Sequence, residues 1–295
     1  MKSLFKWTGL ILGSFLVLLL VFYAYVYFKT TSRFNKAYTL QVPAIVIPTD
    51  SASIAKGYHL AAIKGCNDCH GSSYSGKVVI DDPALGLITA PNITRGQGGL
   101  TTRHTSYTDA DYVRAIKHGL NQENKSLKLM PSYEYNSLSN QDMGALIAYI
   151  KRVPPVDNEM PEISLGPMAY VLTHLDQLPL VSAEKIDHTT TSQEVVHPEI
   201  TPAYGQYVAV SCTGCHRDNF KGGDALVPGS PTVPNITGTG MVGKWSEAQF
   251  IQTLKTGVTP EGKKLNPQYM PWKMTQQYTD VEIKSLYLYL KGITA

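Results

Sequence analysis

Residues 65–70, GCNDCH, place two cysteines three apart with a histidine directly after the second, and residues 211–216, SCTGCH, do so again. These four are all the cysteines of the 295-residue chain, so none is left for a separate structural disulfide. Outward from the two motifs the sequence repeats itself. Gly57-Tyr58 leads into the first motif and Gly205-Gln206-Tyr207 into the second, and PNIT follows at 91–94 and again at 234–237. TDADYVRAIKHG (108–119) answers to SEAQFIQTLKTG (246–257), LMP (129–131) to YMP (269–271), and LSNQDMGALIAYIK (138–151) to YTDVEIKSLYLYLK (278–291). The offset between copies drifts slightly, which places the length differences in loops. The repeat divides the chain after its N-terminal segment into two homologous domains, 52–153 and 201–295. They are joined by a connector, 154–200, that opens with Pro154-Pro155 and holds one short apolar segment, LGPMAYVLTHLDQLPL (165–180).

Each copy reads as helices between loops, so the expected fold class is all-α. Ser51 to Lys64 forms a helix that delivers the first motif at its C-terminal end. Thr108 with Asp111 signals a capped helix that stops near Gly119, and Ser139 with Asp142 signals another with the one-face stripe Met143, Leu146, Ile147 and Ile150. In the second copy Pro202 sits at a helix start. Ser246 with Gln249 and Thr279 with Glu282 form capping boxes, and the last helix carries the stripe Ile283, Leu286, Tyr287 and Leu290. Neither copy shows a convincing run of alternating strand residues. A domain of about 100 residues with few long apolar runs has a meagre core, which a large apolar cofactor would fill.

The composition, 43% hydrophobic and 17% charged, is that of a globular protein rather than a disordered one. A net charge of +3, with no basic run, gives no footing for nucleic acid. The N-terminus is different. Residues 8–28, TGLILGSFLVLLLVFYAYVYF, carry no charge, and at about 1.5 Å per residue they match a bilayer core. The segment ends in Phe22, Tyr23, Tyr25, Tyr27 and Phe28, which make a poor cleavage site and good interfacial anchors. It reads as an uncleaved transmembrane anchor, with 29–51 as a linker giving the domains reach. Basic residues at both ends leave the orientation open on charge alone.

Four chemistries compete for CxxCH. A structural zinc site needs four ligands together, yet 142 residues separate Cys69 from Cys212 and the repeat puts the pairs in different domains. A redox dithiol belongs after a strand in a βαβ unit and leaves the histidine unexplained. A disulfide across two residues closes a tiny loop and stabilises little. Covalent haem attachment accounts for every residue: Cys66 and Cys69, like Cys212 and Cys215, bind the two vinyl groups, and His70 or His216 faces the iron as proximal ligand. The sixth ligand follows from the repeat. Of eight methionines only Met130 and Met270 occupy equivalent positions, each in a loop and each followed by proline. Met143 reads as core filler, and Met160, Met241 and Met274 have no counterparts. His59, His104 and His118 read as surface residues. Pro91 and Pro234 are candidates to accept the proximal histidine's Nδ1–H through their carbonyls. The N-x-T triplets at 92–94 and 235–237 also fit a glycosylation acceptor, read here as a coincidence of the repeat.

CxxCH, PNIT, a capped helix ending in glycine, a Met-Pro loop and a C-terminal helix together resemble the cytochrome c domain. The chain as a whole is similar to bacterial membrane-anchored di-haem c-type cytochromes and to the cytochrome subunits of membrane-bound alcohol and gluconate dehydrogenases. It departs from the latter in having two CxxCH motifs where they typically have three. The resemblance implies two tandem cytochrome c-like domains after one N-terminal transmembrane helix, with two covalently attached haem c groups and axial pairs His70 with Met130 and His216 with Met270. It implies an inner-membrane protein with a cytoplasmic N-terminus and periplasmic haem domains, and no catalytic residue. Such a protein carries electrons from a dehydrogenase or quinol-oxidising complex to a terminal oxidase or a small cytochrome. The rivals are a di-haem peroxidase, in which one copy lacks a ligand methionine, and a haem sensor with an open iron.

Overall fold

The computed structural model describes residues 2–104, 106–225 and 230–294, so the last residue of the region 201–295 lies outside it. Helix α1 (Lys2–Asn35) is one uninterrupted helix that carries the charge-free run and continues beyond it. Its apolar side chains from Leu4 to Phe22 stand exposed, as a lipid-facing or signal helix requires. Its far end does not: Val26 and Thr30 are fully buried.

The first repeat is built from α2 (Ser51–Ile63), α3 (Cys66–His70), a hairpin of β1 (Lys77–Asp82) and β2 (Gly86–Ala90), and three helices: α4 (Leu100–Arg103), α5 (Asp109–His118) and α6 (Asn140–Ile150). The cap of α5 falls where the sequence put it, and α2 gains one not foreseen there. Asp50 accepts from Ser53 N, Thr108 and Asp111 complete a capping box, and Gly119 ends α5 with φ 63°. Left-handed backbone there costs glycine little.

The hairpin corrects the all-α expectation. β1 and β2 pair antiparallel, and the two-residue β3 (Ser164–Leu165) of the connector adds to β2. The signal was present: KVVI and LITA flank DDPALG, and Asp82 Oδ1 accepts from Ala84 N and Leu85 N to close the turn. The connector then forms α7 (Pro167–His174), which packs on the end of α1.

The second repeat follows with α8 (Pro202–Ala209), α9 (Thr213–His216), α10 (Met241–Lys244), α11 (Glu247–Thr256), α12 (Trp272–Thr275) and α13 (Asp280–Gly292). Its capping boxes Ser246/Gln249 and Thr279/Glu282 both form, and Gly257 ends α11 with φ 71°. Among the described residues its counterpart of the hairpin is a single bridge, Gly223 with Val233.

In both copies the first and last helices cross at a glycine. A Cβ on Gly57 would meet the Ala145 carbonyl of α6, and one on Gly205 the Ser285 carbonyl of α13. The absence of a side chain lets two backbones touch, and that contact sets the angle at which α2 and α8 run into their CxxCH helices. The apolar stripes foreseen for α6 and α13 are buried from Met143 to Ile150 and from Ile283 to Leu290, with Tyr287 half-buried. They join one continuous core that spans both copies.

Candidate functional site

The two CxxCH stretches are short helices at the ends of α2 and α8, and the chain reaches α3 through left-handed Gly65 (φ 67°). The four cysteines are half-buried free thiols. Burial pushes the Cys66 and Cys212 thiols up to about 12, so neither is the low-pKa thiolate that redox exchange requires. Among the described residues no three His, Cys, Asp or Glu groups converge on a metal-binding point, so the zinc alternative gains no geometric support.

Each histidine is tied in the same way. His70 Nδ1 lies 2.9 Å from the Pro91 carbonyl oxygen, and His216 Nδ1 lies 2.9 Å from that of Pro234. A carbonyl can only accept, so the ring proton sits on Nδ1 and Nε2 keeps its lone pair. Burial lowers both imidazole pKa values, opposed by the hydrogen bond to the carbonyl. Each ring is therefore a neutral, oriented ligand of the kind that haem iron takes. Pro91 and Pro234 thus hold the role the sequence offered them. The rest of PNIT braces the loop: Asn92 Oδ1 accepts from Thr94 N and Oγ1, and Asn235 Oδ1 accepts from Thr237 N and Oγ1. Asn92 is wholly buried, so glycosylation there is ruled out.

The Met-Pro loops share one geometry. Ser132 N donates to Met130 O at 2.9 Å and Trp272 N to Met270 O at 2.7 Å. Pro131 (φ −82°, ψ 56°) and Pro271 (φ −75°, ψ 60°) stand at the centre of two inverse γ-turns. Both methionines are half-buried against the shared core, as are Cys66 and Cys212. Met143, at 1% exposed, is core filler as expected. His118 is not a surface residue: at 2% exposed it faces His188, Nδ1 to Nδ1 at 3.1 Å. His59 is part-buried and bonds Glu282.

The junction between the copies was not foreseen. His59 Nε2 of α2 reaches the Glu282 carboxylate of α13 at 2.9 Å, while Tyr207 of α8 donates to Asp142 Oδ2 of α6 at 2.6 Å. Positions 59 and 207 correspond in the repeat, as do 142 and 282, so the same two places make the contact in both directions. Closer to the cysteines, Lys64 Nζ donates to Ser211 Oγ at 2.8 Å, joining the residues that lead into the two motifs. Gly214, inside the second motif, lies against the Glu134 carboxylate, and Gly65, before the first, lies against the Met274 sulfur. A cleft of about 350 Å³ opens there between Asp68 of the first motif and Pro271 of the second Met-Pro turn. Burial lowers the Lys64 pKa, with Glu134 the leading opposing charge. Burial pushes Glu134 up to about 7 against the pull of Lys64 and Lys185. The sequence held one usable signal for this junction, a lysine and a glutamate at repeat positions where the other copy has Val210 and Met274.

Paired thiols with an adjacent neutral histidine, repeated and each matched by a Met-Pro turn, define a protein of the class that carries haem covalently. The chain belongs to the cytochrome c family, whose model matches residues 54–154 and 202–294. It is 28% identical over 277 residues to the fructose dehydrogenase cytochrome subunit of Gluconobacter japonicus, covering 82% of this chain and 53% of that one. It is 28% identical over 274 residues to the cytochrome c subunit of the quinone-dependent alcohol dehydrogenase of Gluconacetobacter polyoxogenes, covering 83% and 56%. It thus spans about half the length of these relatives. A diheme cytochrome c-type protein of Cereibacter sphaeroides is 24% identical over 273 residues, covering 82% of this chain and 86% of that protein.

Proposed function

We propose that this chain is a membrane-anchored di-haem c-type cytochrome that passes electrons between redox proteins and performs no substrate chemistry of its own. Its tandem domains are 52–153 and 201–295. One haem c is attached through Cys66 and Cys69 with His70 and Met130 as axial ligands, the other through Cys212 and Cys215 with His216 and Met270. Bound there, each group supplies a one-electron ferric/ferrous couple. The chain's own residues hold the histidines neutral and oriented through Pro91 and Pro234, and Met130 and Met270 would supply thioether to the bound groups.

The observation that carries this reading is the junction itself. Both attachment motifs abut one interface, bridged by Lys64 and Ser211. Groups attached there sit on either side of a packed, hydrogen-bonded contact rather than at the ends of a flexible tether. The matched Met-Pro turns argue against a di-haem peroxidase, which needs one copy without its ligand.

Retention of α1 is supported by its far end. Val26 and Thr30 are buried, and Arg33 donates to the Thr173 carbonyl and pairs with Asp176 and Glu184. Cleavage after the aromatic run would remove buried Val26 and the Tyr25 and Tyr27 ring contacts to α7, a packed part of the fold. The haem domains then lie on the periplasmic side of a bacterial inner membrane. The donor is a dehydrogenase or quinol-oxidising complex, and the acceptor an oxidase or small cytochrome.

A redox titration of the purified protein followed by absorbance tests the reading. Two high-potential one-electron steps are expected, with haem stain at the position of the full chain after denaturing electrophoresis. One high and one very low step would move the assignment to the peroxidase, and loss of stain would refute covalent attachment.

A further inference from the structure

The apolar segment of the connector has no part in holding haem, yet it makes the most extensive contact with the N-terminal helix. α7, PMAYVLTH, carries no charged residue. Ala169 and Thr173, both essentially unexposed, lie on its α1 side. Thr30 Oγ1 donates to the Tyr170 carbonyl at 3.2 Å, the Tyr170 ring lies 4.8 Å from Tyr27 and 6.1 Å from Phe34, and His174 meets Tyr25 edge-on at 5.7 Å. α1 therefore occupies the face made by residues 169, 170, 173 and 174.

At 100° per residue the opposite face carries Met168, Leu172 and Leu175, spaced i, i+4 and i+7. Met168 is 45% and Leu175 54% exposed, and Leu172 is half-buried. Among the described residues the two ends of this apolar stripe, Met168 and Leu175, stand open. Directly after Leu175 the chain reverses at left-handed Asp176, which Arg33 holds at 2.6 Å, so Leu175 is the tip of a loop that returns to polar surroundings.

The level of this tip along α1 is set by its neighbour. His174 meets the edge of Tyr25, three residues before the charge-free run ends at Phe28, or about 4.5 Å inside that end at 1.5 Å per residue. Interfacial helices bury their apolar faces about 5–10 Å into the headgroup and acyl boundary, so the depth matches. Exposed Lys29 lies 5.8 Å over the Tyr25 ring at that level, and exposed Lys128 lies 5.5 Å over Phe34, about 13.5 Å further along α1 at 1.5 Å per residue. Lysines beside aromatic rings at the end of an apolar helix are the residues that meet lipid phosphates.

We propose that α7 is a second membrane contact, seated in the lipid headgroup and acyl boundary beside α1 with Met168, Leu172 and Leu175 facing lipid. This rests on α1 being a retained anchor. Its consequence is that the domains do not swing on a tether. They stand in one orientation on the bilayer, which restricts redox partners to those that approach along or above the membrane surface.

The test uses the full-length holoprotein in nanodiscs of phosphatidylcholine and phosphatidylglycerol doped with a diazirine-tailed phospholipid, with photo-adducts mapped by mass spectrometry. Adducts are expected on peptides covering 3–28 and also on the peptide carrying 167–175. Met168→Ser with Leu175→Ser should lower the 167–175 adducts at least fivefold, with the α1 adducts and the haem absorbance unchanged. Labelled α1 with an unlabelled wild-type α7 overturns the proposal, whether water or a second copy covers that face. Failure to label α1 as well overturns the anchor reading and this inference with it. The wild-type result decides without the variants, should they fold poorly.

Discussion

Replacing Gly57 by Ala probes the crossing that aims the first CxxCH helix. The new Cβ would stand 2.0 Å from the Ala145 carbonyl oxygen and 2.7 Å from Tyr149 Cβ. Non-bonded contacts of carbon settle near about 3.5 Å, so α2 has to draw back from α6 by about 1.5 Å. In an open helix the same change gains about 1 kcal/mol of helix propensity. Against it stands an overpacking cost of about 1–3 kcal/mol. The obstacle is a backbone carbonyl that cannot rotate away, which puts this site at or above the upper end and leaves a net loss of about 2 kcal/mol. Both copies share one core, and for a unit of about 200 residues that lowers Tm by about 4–8 °C. The assay is thermal unfolding of the holoprotein, followed by far-ultraviolet circular dichroism and by the Soret band. Gly292→Ala, where nothing lies within 4 Å of the new methyl, serves as the control and should cost nothing. A Gly57→Ala protein that melts at or above the parent's Tm would refute the close crossing.

Met270→Ala should lower the potential of one haem and abolish half of the near-infrared sulfur-to-iron absorbance, and Met130→Ala the other half; an unchanged spectrum removes that methionine as a ligand. Burial, the neighbouring His188 and nearby cations depress His118 to about 4 in the folded protein, below its ordinary 6.5. The unfolded chain therefore binds the extra proton, and stability falls as pH drops from about 6.5 toward 4. His118→Gln should flatten that loss in urea titrations, and an identical slope would exclude it. Glu134 acts with the opposite sign. Raised to about 7 from an ordinary 4.5, it holds a proton when folded that the unfolded chain has released, so it costs stability as pH rises through that window. Glu134→Gln should gain on the parent between pH 5 and 8. Because the two slopes oppose each other, each is read as the difference between variant and parent, and equal midpoints at both pH values would sink the Glu134 reading.

The helix boundaries were legible because their signals are local. Thr108 with Asp111, Ser246 with Gln249 and Thr279 with Glu282 close capping boxes within one turn, and Gly119 and Gly257 adopt the left-handed stop that glycine allows. The histidine-to-proline bonds were partly legible, because PNIT recurs at a matching place after each motif. The hairpin at 77–90 shows its turn residues in DDPALG, but KVVI and LITA are too short and too uniformly apolar to mark strands by alternation. His118, in the last turn of an amphipathic helix, looks solvent-facing until His188, 70 residues later, covers it.

By itself the sequence marked the two CxxCH motifs, the histidine and methionine proposed to accompany each, and one apolar helix ahead of two copies of a single unit. Those features rest on covalent spacing, on caps that act over three or four residues, and on repetition, and none needs a distant partner. Only the tertiary structure decided which surfaces meet. Lys64 finds Ser211 across 147 residues, His59 finds Glu282 across 223, and Thr30 finds Tyr170 across 140. Periodicity marks a helix face as apolar or polar but does not say what will cover it. That choice is made when the backbones close on Gly57 and Gly205, bring both attachment motifs to one junction, and dock α7 against the end of α1.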